Sequence, residues 1–359
     1  MPKICGVGLG IPQYKITQAE TMEFAHQLFS NTYDDIQRLL KVFENGDIRS
    51  RYFVKDLEWF KKEHSFAEKN NAFIEESIKL GINSINDCFY KAFIPSLSYD
   101  KIDAIFTVCT SGLATPSIEA RIMNQLSFKD NVKRIPIWGL GCAGGASGLS
   151  RAYEYCLAYP KSIVLVLSIE LCSLTFQKDD HSKSNIIGTS LFADGAACTL
   201  VVGDECELLK NAKSAVPSIY GTQSNLMKDS LDVMGWDVND DGLHVIFSKD
   251  IPSIVENWLK PIVESFISKY QLGLSDISQF IAHPGGKKVL NAYEKALNFS
   301  HSITKDSREV LNQFRNMSSP TIFYVLKRIL DKNINPGEWG LAVALGPGFS
   351  SEQLLMRWE

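Results

Sequence analysis

The chain has 359 residues, of which 45% are hydrophobic and 22% are charged, and its formal net charge is −4. This length and apolar content allow two domains, or two halves that share one large core. The slightly acidic balance argues against a basic face for nucleic acid, and we expect no nucleic-acid partner. A substrate is therefore expected in a pocket.

The eight cysteines are spread over predicted strands and helices, without a CxxC pair or a regular disulfide spacing. This pattern is typical of reduced, mostly buried thiols. The opening MPKICGVGLG lacks the features of a secretory signal, and no run of about 18 apolar residues appears. These observations predict a cytoplasmic protein without an integral membrane segment.

Short apolar, β-branched runs alternate with amphipathic stretches, which is typical of an α/β fold with sheets buried on both faces. The predicted strands are residues 3–9, 103–109, 162–169, 196–203, 278–283 and 339–345. The first predicted helix starts at Thr17, where Glu20 completes a capping box. The other predicted helices are 68–92, 116–126, 143–158, 251–271, 286–297 and 319–332. The least patterned region, 204–243, indicates a boundary between two halves, 1–203 and 204–359.

Residues 137–148 read IWGLGCAGGASG and follow an apolar, strand-like run. Gly139, Gly141 and Gly144 fit a GxGxxG dinucleotide fingerprint, and the next predicted strand ends in Glu170. Such a fingerprint usually follows the first strand of its domain, whereas here a long α/β pattern precedes it. An NAD-binding oxidoreductase or regulatory protein nevertheless stays an open alternative.

Cys142, inside this turn, has two interpretations. A free cysteine is most often a small buried hydrophobic residue. Cys142, however, lies where a helix begins, and there unpaired N–H groups and the helix dipole favour a thiolate. The neighbouring glycines would let a substrate approach the sulfur closely.

A nucleophile needs a base and a group that stabilises an oxyanion. His283 ends the run QFIAH before PGG, at the carboxyl end of a predicted strand, where α/β folds place their sites. Asn316, in FRNMSSP, precedes a predicted helix and equally suits a local cap. His244 begins a predicted strand and is ambiguous. The remaining histidines lie in surroundings typical of solvent-facing residues: His26, His64, His181 and His301.

Four motifs in this order, GLGCAGG, IAHPGG, RNMSSP and ALGPGFSSE, resemble the type III polyketide synthases, the chalcone synthase-like family. TSGLATPS at 110–117 and GTSLFADGAA at 188–197 extend the resemblance over essentially the whole chain. The amino-acid sequence of these motifs is most similar to that of bacterial alkylpyrone synthases. The resemblance implies a thiolase fold, in which two pseudo-symmetric α/β halves form a five-layered αβαβα core, and a homodimer.

The same resemblance implies a catalytic triad. Cys142 would carry the acyl group, while His283 and Asn316 would complete the site. His283 would hold Cys142 as a thiolate that attacks an acyl-CoA starter, and His283 and Asn316 would stabilise the enolate formed when malonyl-CoA loses carbon dioxide. No metal and no further cofactor is needed, because the CoA thioesters are substrates.

Eight further positions are assigned to substrate binding by resemblance: Phe192, Thr115, Thr175, Gly188, Val245, Pro347, Ser318 and Arg49. Phe192 matches an aromatic residue between the CoA tunnel and the cavity. Thr115 matches a residue that reaches into the cavity of the neighbouring subunit, and Arg49 matches a basic residue that contacts the CoA phosphates.

The chain departs from the plant pattern at three places. Val245 replaces the second gate phenylalanine, Thr115 replaces a methionine, and residues 344–348 read ALGPG instead of GFGPG. Loss of an aromatic side chain from the gate leaves room for a flexible chain. We therefore expect an aliphatic starter of medium to long length and an alkylpyrone product.

Other enzymes with similar residues were weighed. An initiating ketoacyl-ACP synthase shares the triad types, but it would read AHQAN and NTSAA where this chain has AHPGG and NMSSP. A thiolase needs a second late cysteine, whereas the last one here is Cys206. A cysteine hydrolase would need a different signature around its nucleophile. No motif encodes starter length, the number and type of extensions, or pyrone against resorcinol closure.

Overall fold

The computed structural model describes residues 1–29, 49–95, 97–180, 182–212 and 216–359. The candidate His181 lies outside these ranges. The described strands are β1 (Lys3–Gly10), β2 (Tyr14–Thr17), β3 (Ser50–Phe53), β4 (Ala104–Val108), β5 (Lys133–Ile137), β6 (Ile163–Leu171), β7 (Asp194–Val202), β8 (Pro217–Leu226), β9 (Met234–Asn239), β10 (Gly242–Phe247), β11 (Ile277–Ala282), β12 (Trp339–Gly346) and β13 (Ser350–Trp358). The described α-helices are α1 (Gln18–Phe29), α2 (Leu57–Lys61), α3 (Phe66–Lys91), α4 (Ile118–Met123), α5 (Gly144–Ala158), α6 (Lys183–Leu191), α7 (Ile251–Ser268), α8 (Lys287–Leu297), α9 (Lys305–Phe314) and α10 (Thr321–Leu330).

The predicted α/β alternation is confirmed. The six predicted strands correspond to β1, β4, β6, β7, β11 and β12, within two residues at each end. The predicted capping box at the start of α1 is formed: Thr17 N donates to Glu20 Oε2 at 2.7 Å, and Glu20 N donates to Thr17 Oγ1 at 3.3 Å. Helix α4 is shorter than the predicted 116–126, because the chain bends at residues 115–116 before it and forms a turn at residues 124–125 after it.

One sheet contains nine of the strands, in the order β11-β12-β13-β8-β1-β7-β6-β4-β5. Strands that precede residue 204 lie on one side of it and later strands on the other, and the two sides meet where Lys3 of β1 pairs with Ser218 of β8. Because β8 and β13 carry many polar residues, their sequences show no apolar alternation. The division into halves at 203/204 stays a prediction.

The two sides of the sheet act as two β layers, and helices between and outside them complete five layers. Helices α5 and α10 pack in one apolar cluster with residues from both sides of the sheet, including Ala146, Phe323, Val166 and Leu354. Helix α3 covers the other face of the first side, while α7 and α8 cover the other face of the second. The predicted αβαβα layering is therefore present. In the described ranges, no helix combines the length and apolar character needed to cross a membrane.

Close contact between α5 and α10 depends on Gly145. A Cβ atom at this position would lie 2.3 Å from the main-chain oxygen of Ser319 and 3.0 Å from Cγ2 of Ile322. Because backbone cannot move aside cheaply, Gly145→Ala should lower the free energy of unfolding by about 1–3 kcal/mol, although alanine is the better helix former. Urea unfolding measures this effect. Gly235→Ala, where a Cβ would meet nothing within 4 Å, should stay within about 0.5 kcal/mol of the parent. Equal stability of the Gly145 variant and the parent would contradict the packing argument.

Candidate active site

Cys142 lies in a short 3₁₀ turn, Gly141–Ala143, that leads directly into α5. Gly139 and Gly141 have φ values of 93° and 46°, which side chains with a Cβ rarely adopt. A Cβ on Gly141 would also lie 2.8 Å from Cδ of Pro347. The glycines therefore serve the shape of the turn and its contact with the strand-end loop at Pro347.

His283 and Asn316 reach the same place from the second part of the chain. His283 follows β11, and its N–H donates to the Val343 oxygen at 2.9 Å. Asn316 forms an isolated β-bridge with Phe192, and the main-chain oxygen of Asn316 accepts a hydrogen bond from Ala193 N at 3.0 Å. Cys142, His283 and Asn316 line one cavity of about 280 Å³, which we call the triad cavity.

Within this cavity, Cys142 Sγ lies 4.0 Å from Asn316 Oδ1. Burial raises the pKa of the Cys142 thiol to about 11, although hydrogen bonding with Ser318 and Asn316 acts in the opposite direction. The backbone at the helix start also acts to lower the pKa, in the direction that the sequence predicts, but burial has the larger effect. The reason is that Cys142 is only 5% exposed, and a charged sulfur would lose its hydration.

His283 is also buried, and burial lowers its pKa to about 3. Neither ring nitrogen of His283 has a hydrogen-bond partner among the described residues, and the same holds for Asn316 Nδ2. Buried polar atoms without partners are rare and costly, which points to a ligand that supplies them. Across the described ranges, no group of three His, Cys, Asp or Glu residues is placed to hold a metal ion.

Glu170 stabilises the turn that carries Cys142 through buried hydrogen bonds. It is fully buried, and its Oε2 accepts from Ser111 Oγ at 2.6 Å and from the N–H groups of Thr110 and Ser111 at 3.0 and 2.9 Å. Its Oε1 accepts from Ser319 Oγ at 2.8 Å, and Gly141 N donates to Thr110 Oγ1 at 3.2 Å. Both carboxylate oxygens of Glu170 are thus engaged in the interior, whereas a dinucleotide-binding site would need an acidic residue free to bond a ribose hydroxyl.

Two further cavities lie near the triad cavity and share lining residues with it or with each other. The first, of about 330 Å³, shares Cys142 with it and is also lined by Phe192, Val245, Ser318 and Pro347; we call it the gate cavity. The second, of about 570 Å³, shares Phe192 and Val245 with the gate cavity and is called the inner chamber. Thr175 and Gly188 line the inner chamber. Six of the eight predicted substrate-binding positions therefore border one or both of these two neighbouring cavities.

The other two predicted positions lie elsewhere. Arg49 is exposed just before β3, where its backbone bonds with Gln18 and Asn312. Thr115 is exposed beside Pro116. Neither residue borders the triad cavity, the gate cavity or the inner chamber. Their roles toward CoA and toward a second subunit stay predictions.

Trp236 is a site residue that the sequence did not reveal. It is half-buried on β9 and pairs in register with Val245 on β10. Trp236 lines both the gate cavity and the inner chamber, and its ring centroid lies 6.4 Å from that of Phe192. Only the hairpin register brings Trp236 beside the gate. A β10 strand predicted around Val245 would have been the signal to search for its partner.

Arg51, two residues after the predicted Arg49, positions the gate. Its guanidinium is buried and donates to the oxygens of Ser190 at 2.9 Å and Phe192 at 3.1 Å, at the end of α6. Burial lowers the pKa of Arg51 to about 9, and the nearby Asp194 carboxylate acts in the opposite direction. Arg51 thus orients the backbone that carries Phe192.

Comparison with known proteins identifies the family. Residues 2–205 match the family description "Chalcone and stilbene synthases, N-terminal domain", and residues 219–358 match the corresponding C-terminal domain. This chain belongs to the chalcone and stilbene synthase family.

Relatives with full-length similarity support this membership. A Bacillus subtilis (strain 168) protein, named only provisionally as a chalcone synthase, is 51% identical over 100% of this chain and 99% of its own length. The 1,3,6,8-tetrahydroxynaphthalene synthase of Streptomyces peucetius subsp. caesius is 30% identical over 99% of this chain and 93% of its own length. The crystal structure of the Streptomyces coelicolor A3(2) 1,3,6,8-tetrahydroxynaphthalene synthase, a bacterial type III polyketide synthase, superimposes with a TM-score of 0.90 at 26% identity, over 99% of each chain.

The predicted resemblance is thus confirmed. The protein is a chalcone synthase-like type III polyketide synthase of the bacterial kind, and its five layers are those of the thiolase fold. This family membership does not support the dinucleotide-binding interpretation of Gly139, Gly141 and Gly144.

Proposed function

We propose that this synthase loads an acyl-CoA starter on Cys142, extends it by decarboxylative condensation with malonyl-CoA, and cyclises the product to an alkylpyrone. One observation carries the proposal. Cys142, His283 and Asn316 line one cavity, Cys142 also lines the gate cavity, and only Phe192, Trp236 and Val245 stand between the gate cavity and a mainly apolar chamber.

Loading begins with the thiol of Cys142. His283 takes the thiol proton, the sulfur attacks the thioester carbonyl of the starter, and the CoA thiolate leaves and recovers a proton. Separate burial of the two groups favours the neutral pair, as the pKa values near 11 and 3 indicate. Mutual attraction of thiolate and imidazolium in a low-dielectric cavity offsets this cost when the proton moves.

Extension uses the unpaired polar atoms of the triad cavity. Asn316 Nδ2 and a His283 ring N–H donate to the thioester oxygen of malonyl-CoA, and the malonyl carboxylate leaves as carbon dioxide. The resulting enolate attacks the carbonyl carbon of the acyl-cysteine. A carbon–carbon bond forms, the bond to Cys142 Sγ breaks, and the thiolate is regenerated. No separate base is required, since decarboxylation supplies the carbanion.

The inner chamber favours an aliphatic starter. Its lining includes Phe24, Phe53, Phe60 and Phe176, and its surface is mainly apolar although polar side chains also border it. Burial of methylene groups against such a lining stabilises a bound alkyl chain by about 0.8 kcal/mol each. The proposed partners are acyl-CoA, malonyl-CoA and a second copy of the chain in a cytoplasmic homodimer, with no further cofactor.

The decisive experiment is incubation of the purified protein with malonyl-CoA and acyl-CoAs from hexanoyl to stearoyl, beside coumaroyl-CoA, with products identified by mass spectrometry. We expect alkylpyrones from the aliphatic starters. A clear preference for coumaroyl-CoA would contradict the aliphatic starter, resorcinol products would contradict pyrone closure, and dependence on an acyl carrier protein would indicate the ketoacyl-ACP synthase reaction instead.

Val245 offers a direct test of the gate. It lines both the gate cavity and the inner chamber, and its Cγ1 lies 3.2 Å from the place of a Cβ on Gly188. Val245→Phe should narrow this passage and reduce kcat/KM for stearoyl-CoA by about 10-fold or more, since one rejected methylene is already worth about that factor. Val238→Phe, on the same hairpin but 59% exposed, is the matched control and should keep the starter profile. An unchanged profile in the Val245 variant would place the chain path elsewhere.

A further inference from the structure

The inner chamber has a second boundary besides the gate. Phe192, Trp236 and Val245 separate it from the gate cavity. Two other lining residues, Phe60 and Phe176, also line a surface groove of about 980 Å³. These two rings therefore form a partition between the chamber and the groove, on a side that the gate residues do not occupy.

We call this pair of rings, Phe60 and Phe176, the aromatic wall, and other aromatic rings pack against it. The Phe24 ring centroid lies 6.5 Å from that of Phe60 and 6.4 Å from that of Phe176, and Phe53 approaches Phe60 at 5.4 Å. Phe60 is only 5% exposed. Edge and tilted ring contacts of this kind stabilise an aromatic cluster beyond its buried area. The chamber is thus closed toward the groove by side chains that a ligand would have to displace.

Both wall residues are anchored by their backbones. Phe60 belongs to the short helix α2, where Asp56 Oδ1 accepts from Trp59 N at 2.9 Å. Phe176 follows a 3₁₀ segment, and its oxygen accepts from Lys69 Nζ at 3.0 Å. Because the backbones are held, opening the wall requires the rings themselves to rotate or to be shortened.

Beyond the wall, the groove is polar. Its lining includes the exposed charged residues Lys62, Glu63, Asp179, Asp240 and Asp241. An alkyl chain gains free energy while it remains in the apolar chamber and gains much less once it enters a solvated, charged groove. The wall therefore marks the point at which further methylene groups stop contributing to binding and begin to clash.

We infer that Phe60 and Phe176 receive the methyl end of the acyl starter and set the longest chain that Cys142 can load, an inference that rests on the proposed function. A chain tethered through its carbonyl at Cys142 passes Phe192 and fills the chamber toward the wall. Neither wall residue borders the triad cavity, so both act on chain length and not on the reacting bond.

The test is the rate of Cys142 acylation, followed by intact-protein mass spectrometry, with saturated acyl-CoAs from hexanoyl to stearoyl. The parent should show a steep decline in kcat/KM beyond one chain length, since each rejected methylene costs about 10- to 200-fold. Phe60→Ala and Phe176→Ala should each move this decline to longer chains by two carbons or more, with at least about a tenfold gain at the first length that the parent rejects. Phe60→Trp should move the decline to shorter chains.

Phe66→Ala is the matched control, because Phe66 lines the groove but not the inner chamber, and it should leave the length profile unchanged. Phe60→Leu replaces the alanine variant if the latter does not fold. An unchanged decline in the wall variants, or an equal shift in the Phe66 variant, would overturn the wall while acyl loading itself stands. Absence of acylation from every acyl-CoA in the parent would refute the proposed function and the wall together.

Discussion

Cys142→Ala should abolish polyketide formation, with a loss of about 10⁴- to 10⁶-fold in kcat, because no other group in the triad cavity can form the thioester. The same variant should still release carbon dioxide from malonyl-CoA. The unpaired atoms of His283 and Asn316 that stabilise the enolate do not depend on the sulfur. Product formation and acetyl-CoA release, both followed by chromatography, separate the two steps.

Cys109→Ala is the control for this experiment. Cys109 is less buried than the other free thiols, and it borders none of the three cavities. Its variant should form product at the parental rate. Incorporation of a starter label into the Cys142 variant would show that another residue carries the acyl group.

His283→Gln should reduce product formation by about 10²- to 10⁴-fold and should change the pH dependence of Cys142 alkylation. The thiolate is the reactive form, and burial raises the pKa of Cys142 to about 11. Without an imidazole to take the proton, about 10⁻⁴ of the thiol is ionised at pH 7, and the rate should rise tenfold per pH unit toward pH 11. In the parent, we expect the mutual attraction of thiolate and imidazolium to offset the effect of burial on both pKa values, which should give a plateau of alkylation rate around neutral pH.

Iodoacetamide labelling of Cys142, quantified by peptide mass spectrometry between pH 6 and pH 10, measures both profiles. His244→Gln is the matched control, since His244 bonds with Asp241 at 2.9 Å and borders none of the three cavities. It should keep the parental plateau. A parental rate that rises tenfold per pH unit, as in the His283 variant, would mean that no ion pair forms before substrate binds.

Local sequence determined the regular framework and pointed to the candidate reacting residues. Strands such as β6 and β7 are apolar on both faces because both faces are buried, so a continuous apolar run was enough to find them. Cys142 could be selected as a candidate nucleophile because it stands among glycines at a helix start. His283 and Asn316 gained their assignment from the ordered motifs of the family, since each alone equally suits a structural role.

Tertiary structure decided what depends on contacts between distant segments. Strand β13 is almost wholly buried yet contains Ser351, Glu352 and Gln353. Ser224 Oγ of β8 donates to Glu352 Oε2 at 2.8 Å, and Gln353 Nε2 donates to Asn225 Oδ1 of β8 at 3.4 Å. Such a strand has no apolar alternation to detect. In the same way, the pKa of Cys142 depends on burial that several segments create together, and the position at a helix start could not reveal this larger effect.

The cavities show the same division. Motif resemblance located Phe192 and Val245 one by one, whereas Trp236 reaches the gate only through the β9–β10 register. The aromatic wall consists of Phe60 and Phe176, which are more than one hundred residues apart in the chain. A local sequence pattern indicates which residues of one strand or helix are buried. The shape and length of a pocket depend on which distant side chains share it, and only the packed fold determines that.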